Sequence, residues 1–101
     1  MNRIVEDNIE SIKQLCKNHH VKSFFAFGSV YTEQFNETSD VDLLISFDPL
    51  DYADYADNYF LLADKLEAVF KRHVDLVTEK SLSNPYFIDS VNKTKKLIYG
   101  Y

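Results

Sequence analysis

The sequence is poor in the residues that break a chain or staple it. Among 101 residues there are two glycines, two prolines and one cysteine. With so few chain breakers, no low-complexity tract and no internal repeat, a disordered or repetitive protein is excluded. A single cysteine, Cys16, excludes an intramolecular disulfide and is expected to be a buried helix residue. No apolar run exceeds a few residues, against the roughly 20 that a membrane-spanning helix needs. Nothing at the N-terminus resembles a signal peptide, so the expected location is the cytoplasm. Positive charge is also in deficit: eleven Lys and Arg against sixteen Asp and Glu leave a net charge of −5. That balance lacks the footprint of a protein that binds long nucleic acid, whereas a concentrated acidic site would attract divalent cations.

What is present suffices for one domain over residues 1–101, because 46% of the residues are apolar and 15% aromatic. Val5, Ile9, Ile12 and Cys16 recur at helical spacing and predict an amphipathic helix from Asn2 to Asn18. Val21 to Phe27, rich in strand formers, predicts a buried strand ending at Gly28. Ser29 to Ser39 is polar and reads as a short helical turn and a loop. Val41 to Phe47 is the clearest strand, with Val41, Leu43, Ile45 and Phe47 on one face and Asp42, Leu44 and Ser46 on the other. A second long helix is expected from Tyr52 to Lys71, its stripe formed by Tyr59, Leu62, Leu66 and Val69 beside Phe70. His73 to Thr78 predicts a third strand, and Tyr86 to Lys95 a last helix with Pro85 in its first turn. Leu97-Ile98-Tyr99 then reads as an extended tail. This order of elements implies a small α/β or α+β domain, a central sheet covered by helices.

Three carboxylates stand out against this pattern. Asp40 and Asp42 lie two residues apart where a strand begins, so both point to one face. Two ionised carboxylates at that spacing repel each other, and a fold keeps them when a cation sits between. Hard oxygen donors of this kind suit Mg²⁺ or Mn²⁺ together with substrate phosphates. Asp75 repeats the pattern inside the apolar run Val74 to Val77. With the third strand beside the second, it joins the other two, and three carboxylates can hold two metals roughly 3.5–4 Å apart. Gly28-Ser29, where the first strand ends, offers a close backbone approach and a hydroxyl to a phosphate. Each piece alone is common: a solvated strand end, a turn, an aspartate paired with a lysine. Their combination is specific.

With ten residues between Gly28-Ser29 and Asp40-Val41-Asp42, and Val74-Asp75-Leu76 further on, the chain resembles a known family. It is similar to the minimal nucleotidyltransferases of the DNA polymerase beta superfamily, the group that includes the MntA-type antitoxins. The matching phrases are Phe27-Gly28-Ser29, Ser39-Asp40-Val41-Asp42-Leu43-Leu44-Ile45 and Val74-Asp75-Leu76-Val77, and the resemblance covers nearly the whole chain. It implies an α+β nucleotidyltransferase fold, a small mixed sheet covered by helices. It further implies that Asp40 and Asp42 bind two metal ions, that Asp75 binds the one beside the attacking hydroxyl and helps deprotonate it, and that Gly28 and Ser29 hold the β- and γ-phosphates of an NTP. ATP is the expected nucleotide. The implied partner is a helical HEPN-type toxin whose tyrosine receives AMP, and self- or hetero-association is expected because no acceptor-binding module is apparent. One departure is that Thr32 and Glu33 stand where relatives often carry arginine and glycine, which weakens the grip on triphosphate. Lys93, Lys95 and Lys96 could compensate by charge, although a solvated helix face explains them as well.

Other tempting residues carry less. His19, His20 and His73 match no common ligand spacing, and turn or strand-edge positions account for them. Lys71-Arg72 suits the end of a helix dipole. Tyr52, Tyr55 and Tyr59 form an aromatic seam, for which core packing is favoured over a partner surface. The rival to an enzyme is a module that neutralises a partner by contact alone; a transferase acting on small molecules is a third reading, for which the chain leaves little room.

Overall fold

The computed structural model describes residues 3–28, 40–49 and 52–100. The helical turn expected over 29–39, with Ser29, Thr32 and Glu33, lies outside the described residues. Four helices are described, α1 (Arg3–Asp7), α2 (Ile9–Asn18), α3 (Tyr52–Phe70) and α4 (Pro85–Thr94), together with four strands, β1 (Val21–Phe27), β2 (Val41–Phe47), β3 (Val74–Thr78) and β4 (Lys96–Gly100). The sheet order is β3-β2-β1-β4. β1 is antiparallel to β2 and β4, while β2 and β3 are parallel and joined by the crossover helix α3. The fold is therefore α+β with a mixed sheet, and the tail at Leu97 to Tyr99 is its fourth strand. No helix among the described residues is long and apolar enough to cross a membrane.

The first helix is two helices, not one. Asn8 turns its side-chain amide back onto the Ile4 carbonyl at 2.8 Å, and its own N–H bonds Val5 three residues back at 3.2 Å. Asparagine competes with the helical ladder in this way, so α1 stops and α2 restarts with Ile12 N–H on the Asn8 carbonyl. At the other end of the chain Asn84 caps α4, its Oδ1 accepting from the N–H groups of Tyr86 and Phe87, with Pro85 in the first turn.

The sheet buries both of its faces. Val5, Ile12 and Cys16 of α1 and α2, and Leu62, Leu66 and Phe70 of α3, pack on Phe24, Ala26, Val41, Leu43, Ile45, Val74 and Leu76. Each Val, Leu, Ile or Phe side chain so withdrawn from water contributes about 1.5–3 kcal/mol before entropy is counted. Phe70 completes the α3 stripe, and Val69 sits half-buried beside it. In β1 an extra residue around Lys22, between the pairs Val21–Phe47 and Ser23–Ser46, lets Val21 and Phe24 face the same core. The opposite face carries a smaller cluster of Phe27, Leu44 and Val91, which α4 covers. Leu44, on the face shared with Asp42, is consequently only 1% exposed.

α3 also seals the free edge of the sheet. Glu67 Oε2 accepts the Val74 N–H at 3.0 Å, and the Tyr59 hydroxyl donates to the Leu76 carbonyl at 2.5 Å. Both groups would otherwise present β3 as a template for another strand. Tyr59 thus packs against the core, and Tyr55 meets Phe47 edge to face with ring centroids 5.2 Å apart. The Tyr52 side chain lies outside the described residues.

Candidate active site

Strand direction decides where the chemistry gathers. Because β1 runs against β2 and β3 runs with it, the C-terminal end of β1 meets the N-terminal ends of β2 and β3. Phe27 pairs with Asp42, and Asp42 pairs with Asp75 in the parallel register. Asp42 is half-buried and Asp75 exposed, on adjacent strands about 4.8 Å apart. Like charges placed side by side in this way are destabilising unless something positive compensates. Asp40, just before β2, has a side chain 57% exposed, and its Oδ2 lies 3.4 Å from Nδ1 of His73. His73 is held in turn, its carbonyl accepting the Val41 N–H at 3.1 Å and its Nε2 standing 4.0 Å from Glu67 Oε2.

Gly28 completes this end of the sheet. Its φ of +71° lies in the left-handed region, where L side chains are strained. Its N–H donates to Thr94 Oγ1 at 3.1 Å, and that hydroxyl donates to the Ser90 carbonyl at 3.1 Å. Two of the three lysines that the sequence offered are engaged elsewhere: Lys93 pairs with Asp89 at 2.9 Å, and Lys95 lies 4.8 Å over the Phe25 ring.

The structure therefore brings Gly28, Asp42 and Asp75 together and sets Asp40 beside them on His73. Hard carboxylate oxygens fit Mg²⁺ or Mn²⁺. In the present side-chain positions, no three Asp, Glu, His or Cys groups among the described residues converge into a metal cage. Sequence reasoning set His73 aside as a strand-edge residue and did not single out Glu67 or Thr94. His73 stands two residues before Asp75, which was a usable signal, whereas Thr94 sits in no motif. The field of Asp75 is felt at Tyr59, whose hydroxyl pKa is raised by burial first, then by Asp75 and Tyr55.

A mixed sheet in this order, with helices on both faces and carboxylates at one end, defines the minimal nucleotidyltransferase class. The chain belongs to the polymerase beta nucleotidyltransferase family, whose profile matches residues 10–101, and it is an enzyme of that class. It is 33% identical over 96 residues to "Putative protein adenylyltransferase MJ1379" of Methanocaldococcus jannaschii, spanning 94% of this chain and 93% of that protein. Among solved structures it is similar to a toxin-antitoxin crystal structure with AMP-PNP, with TM-score 0.72 and 26% identity over 93% of this chain and 74% of the other. A second is the MNT antitoxin in complex with the tri-AMPylated HEPN toxin of Shewanella oneidensis, with TM-score 0.66 and 26% identity over 95% and 72%.

Proposed function

We propose that this chain transfers AMP from ATP to a tyrosine hydroxyl of a helical HEPN-type partner, and so acts as an antitoxin-like protein adenylyltransferase. The observation that carries the reading is the register of β2 and β3, which sets Asp42 beside Asp75 at the end of the sheet where β1 delivers Gly28. Like charges directly opposed on adjacent strands destabilise by about 0.2–1 kcal/mol, which a bound cation would offset. The AMP-PNP and AMPylated-toxin complexes of similar proteins support both the nucleotide and the acceptor class.

On this reading Asp40, Asp42 and Asp75 are the ligands for Mg²⁺, with Mn²⁺ as a substitute. Bound there, the metal supplies positive charge to the phosphate oxygens and lowers the cost of ionising the acceptor hydroxyl. Asp75 takes the proton of that hydroxyl as its oxygen attacks the α-phosphorus. The bond from the α-phosphorus to the bridging oxygen breaks, pyrophosphate leaves, and AMP stays on the acceptor. The Gly28-Ser29 turn holds the β- and γ-phosphates in line with the attack.

The test is transfer of label from α-³²P-ATP with Mg²⁺ to a co-expressed neighbouring gene product, with Asp42→Asn in parallel. Label on a discrete protein, absent with the variant, is the expected result. A folded wild-type protein that transfers no label from any NTP would favour neutralisation by contact alone.

A further inference from the structure

A threonine in the last turn of a helix commonly donates its hydroxyl to the carbonyl four residues back, and Thr94 does so to Ser90 at 3.1 Å. That leaves the lone pairs of Oγ1 free to accept, and the donor that reaches them comes from 66 positions away in the chain, the Gly28 N–H at 3.1 Å. Gly28 is the first residue beyond β1. The β4 partner of Ala26 is Lys96, the first residue of β4, so no β4 strand position stands opposite Gly28. The Thr94 hydroxyl takes the place of the missing strand.

We propose that Thr94 is a positioning residue for the nucleotide site at Gly28: its hydroxyl fixes the Phe27–Gly28 peptide and thereby the end of β1 beside Asp42. This rests on the reading of Gly28-Ser29 as part of a nucleotide site, and it alters one detail of that reading. With its N–H given to Thr94, Gly28 is the pivot at the end of β1 and not a phosphate donor. The pivot must be held well because Gly28 lies against Asp42, where an added β-carbon would come within 2.7 Å of Oδ2. A shift at Gly28 is therefore also a shift beside a proposed metal ligand.

α4 does not depend on this hydroxyl for its own docking. Val91 is buried against Phe27 and Leu44, Phe87 meets Phe27 edge to face at 5.9 Å, and Lys95 lies over Phe25. Thr94→Val, nearly isosteric, should leave the helix in place while the end of β1 loses its anchor.

The experiment is isothermal titration of Mg·ATP into wild type, Thr94→Val and Thr94→Ser, with amide exchange of Gly28 measured by NMR on the wild type. The expected result is a five- to tenfold rise in Kd for Thr94→Val, roughly the loss of one hydrogen bond. Thr94→Ser, which keeps the hydroxyl, should recover the wild-type value to within about twofold on the same scale. The Gly28 amide should exchange slowly before and after Mg·ATP is added. Equal Kd for wild type and Thr94→Val overturns the inference while leaving the nucleotide site standing. So does a Thr94→Ser as weak as Thr94→Val, since packing of the methyl would then be the cause. A rapidly exchanging Gly28 amide in the wild type overturns it even if neither variant folds. A folded wild type that binds no NTP removes the nucleotide site, and the inference with it.

Discussion

A methyl group on the α-carbon of Gly28 would lie 2.7 Å from Oδ2 of Asp42, closer than real β-carbons approach any oxygen. The contact follows from register: Phe27 faces Asp42 across the β1–β2 pair, and Gly28 then turns with φ +71° over the carboxylate. Gly28→Ala meets both penalties. The left-handed backbone costs an alanine about 1–2 kcal/mol, and the carboxylate must move as well. We expect a loss of about 1–2 kcal/mol in urea denaturation and at least a tenfold fall in nucleotide transfer, of the size that misplaced reacting groups produce. Unchanged transfer in a folded Gly28→Ala protein would mean that Asp42 does not need its present position.

On the proposed reading, the pairing of Asp42 with Asp75 sets stability against activity. Asp75→Asn keeps the shape and removes one of two like charges. Without metal it should stabilise the fold by about 0.2–1 kcal/mol, the range for cross-strand charge pairs. Transfer should drop by about 100-fold or more, as expected when a proton acceptor is lost. Mn²⁺ should raise the Tm of the wild type and not that of the variant, since only a ligand that binds the native state stabilises it. A variant that loses stability in EDTA would remove the argument for repulsion.

These two relationships differ in how far the sequence announced them. The bounds of β1 and β2 were legible because strand-forming residues run between clear breakers, and the Asp-x-Asp spacing puts both carboxylates on one face by period alone. That Asp75 stands beside Asp42 needed the order of the strands, which periodicity does not contain. The break at Asn8 was hidden because the apolar stripe continues through it, and only the polar side chain decides the local ladder. Leu44 read as part of a polar face, since nothing local says that α4 will cover it. Thr94 was illegible for the same reason: its partner is 66 residues distant and its own segment carries no motif.

Tyr59→Phe tests the sealed edge. It removes the donor to the Leu76 carbonyl and should cost about 0.5–1.5 kcal/mol. Burial, with Asp75 and Tyr55, raises the hydroxyl pKa above its ordinary 10.0. In the window from 10.0 upward the folded state therefore holds a proton that the unfolded state has lost. The contribution is complete below that pH and disappears as pH rises through the folded pKa. The wild type should lose stability more steeply than Tyr59→Phe above pH 10, a comparison that alkaline denaturation curves make directly.

Cys16 is fully buried, and burial pushes its thiol from 9.0 up to about 12. Thiolate is the reactive form, so iodoacetamide at pH 8 should modify the native protein only at the rate at which it unfolds. Adding denaturant should bring the rate to that of a free thiol. The stability term has the same sign as for Tyr59: complete below 9 and lost as pH rises toward 12. Fast labelling of native protein would place Cys16 outside the core.

His19, with 6% of its surface exposed, is held by two residues of α3, Asn58 and Lys65. Its Nδ1 lies 2.8 Å from Asn58 Oδ1, which can only accept, so Nδ1 carries the proton. Nε2 of the neutral ring is then the acceptor that faces Lys65 Nζ at 3.2 Å, while Asn58 Nδ2 donates to the His19 carbonyl. This cluster closes the turn between α2 and β1, where His20 has φ +60°, onto the crossover helix that joins β2 to β3. Asn58→Ala strips two partners from a buried residue and should cost about 2–6 kcal/mol, at about 1–3 kcal/mol for each group left unpaired. At about 4–8 °C for each kcal/mol, a domain of this size should lose at least roughly 10 °C in Tm. The cluster lies apart from Asp42 and Asp75, so nucleotide transfer per folded molecule should stay within about twofold of wild type at low temperature, as for distant independent sites. A fall in activity that outruns the unfolded fraction would show instead that the turn after α2 communicates with the carboxylates through β1.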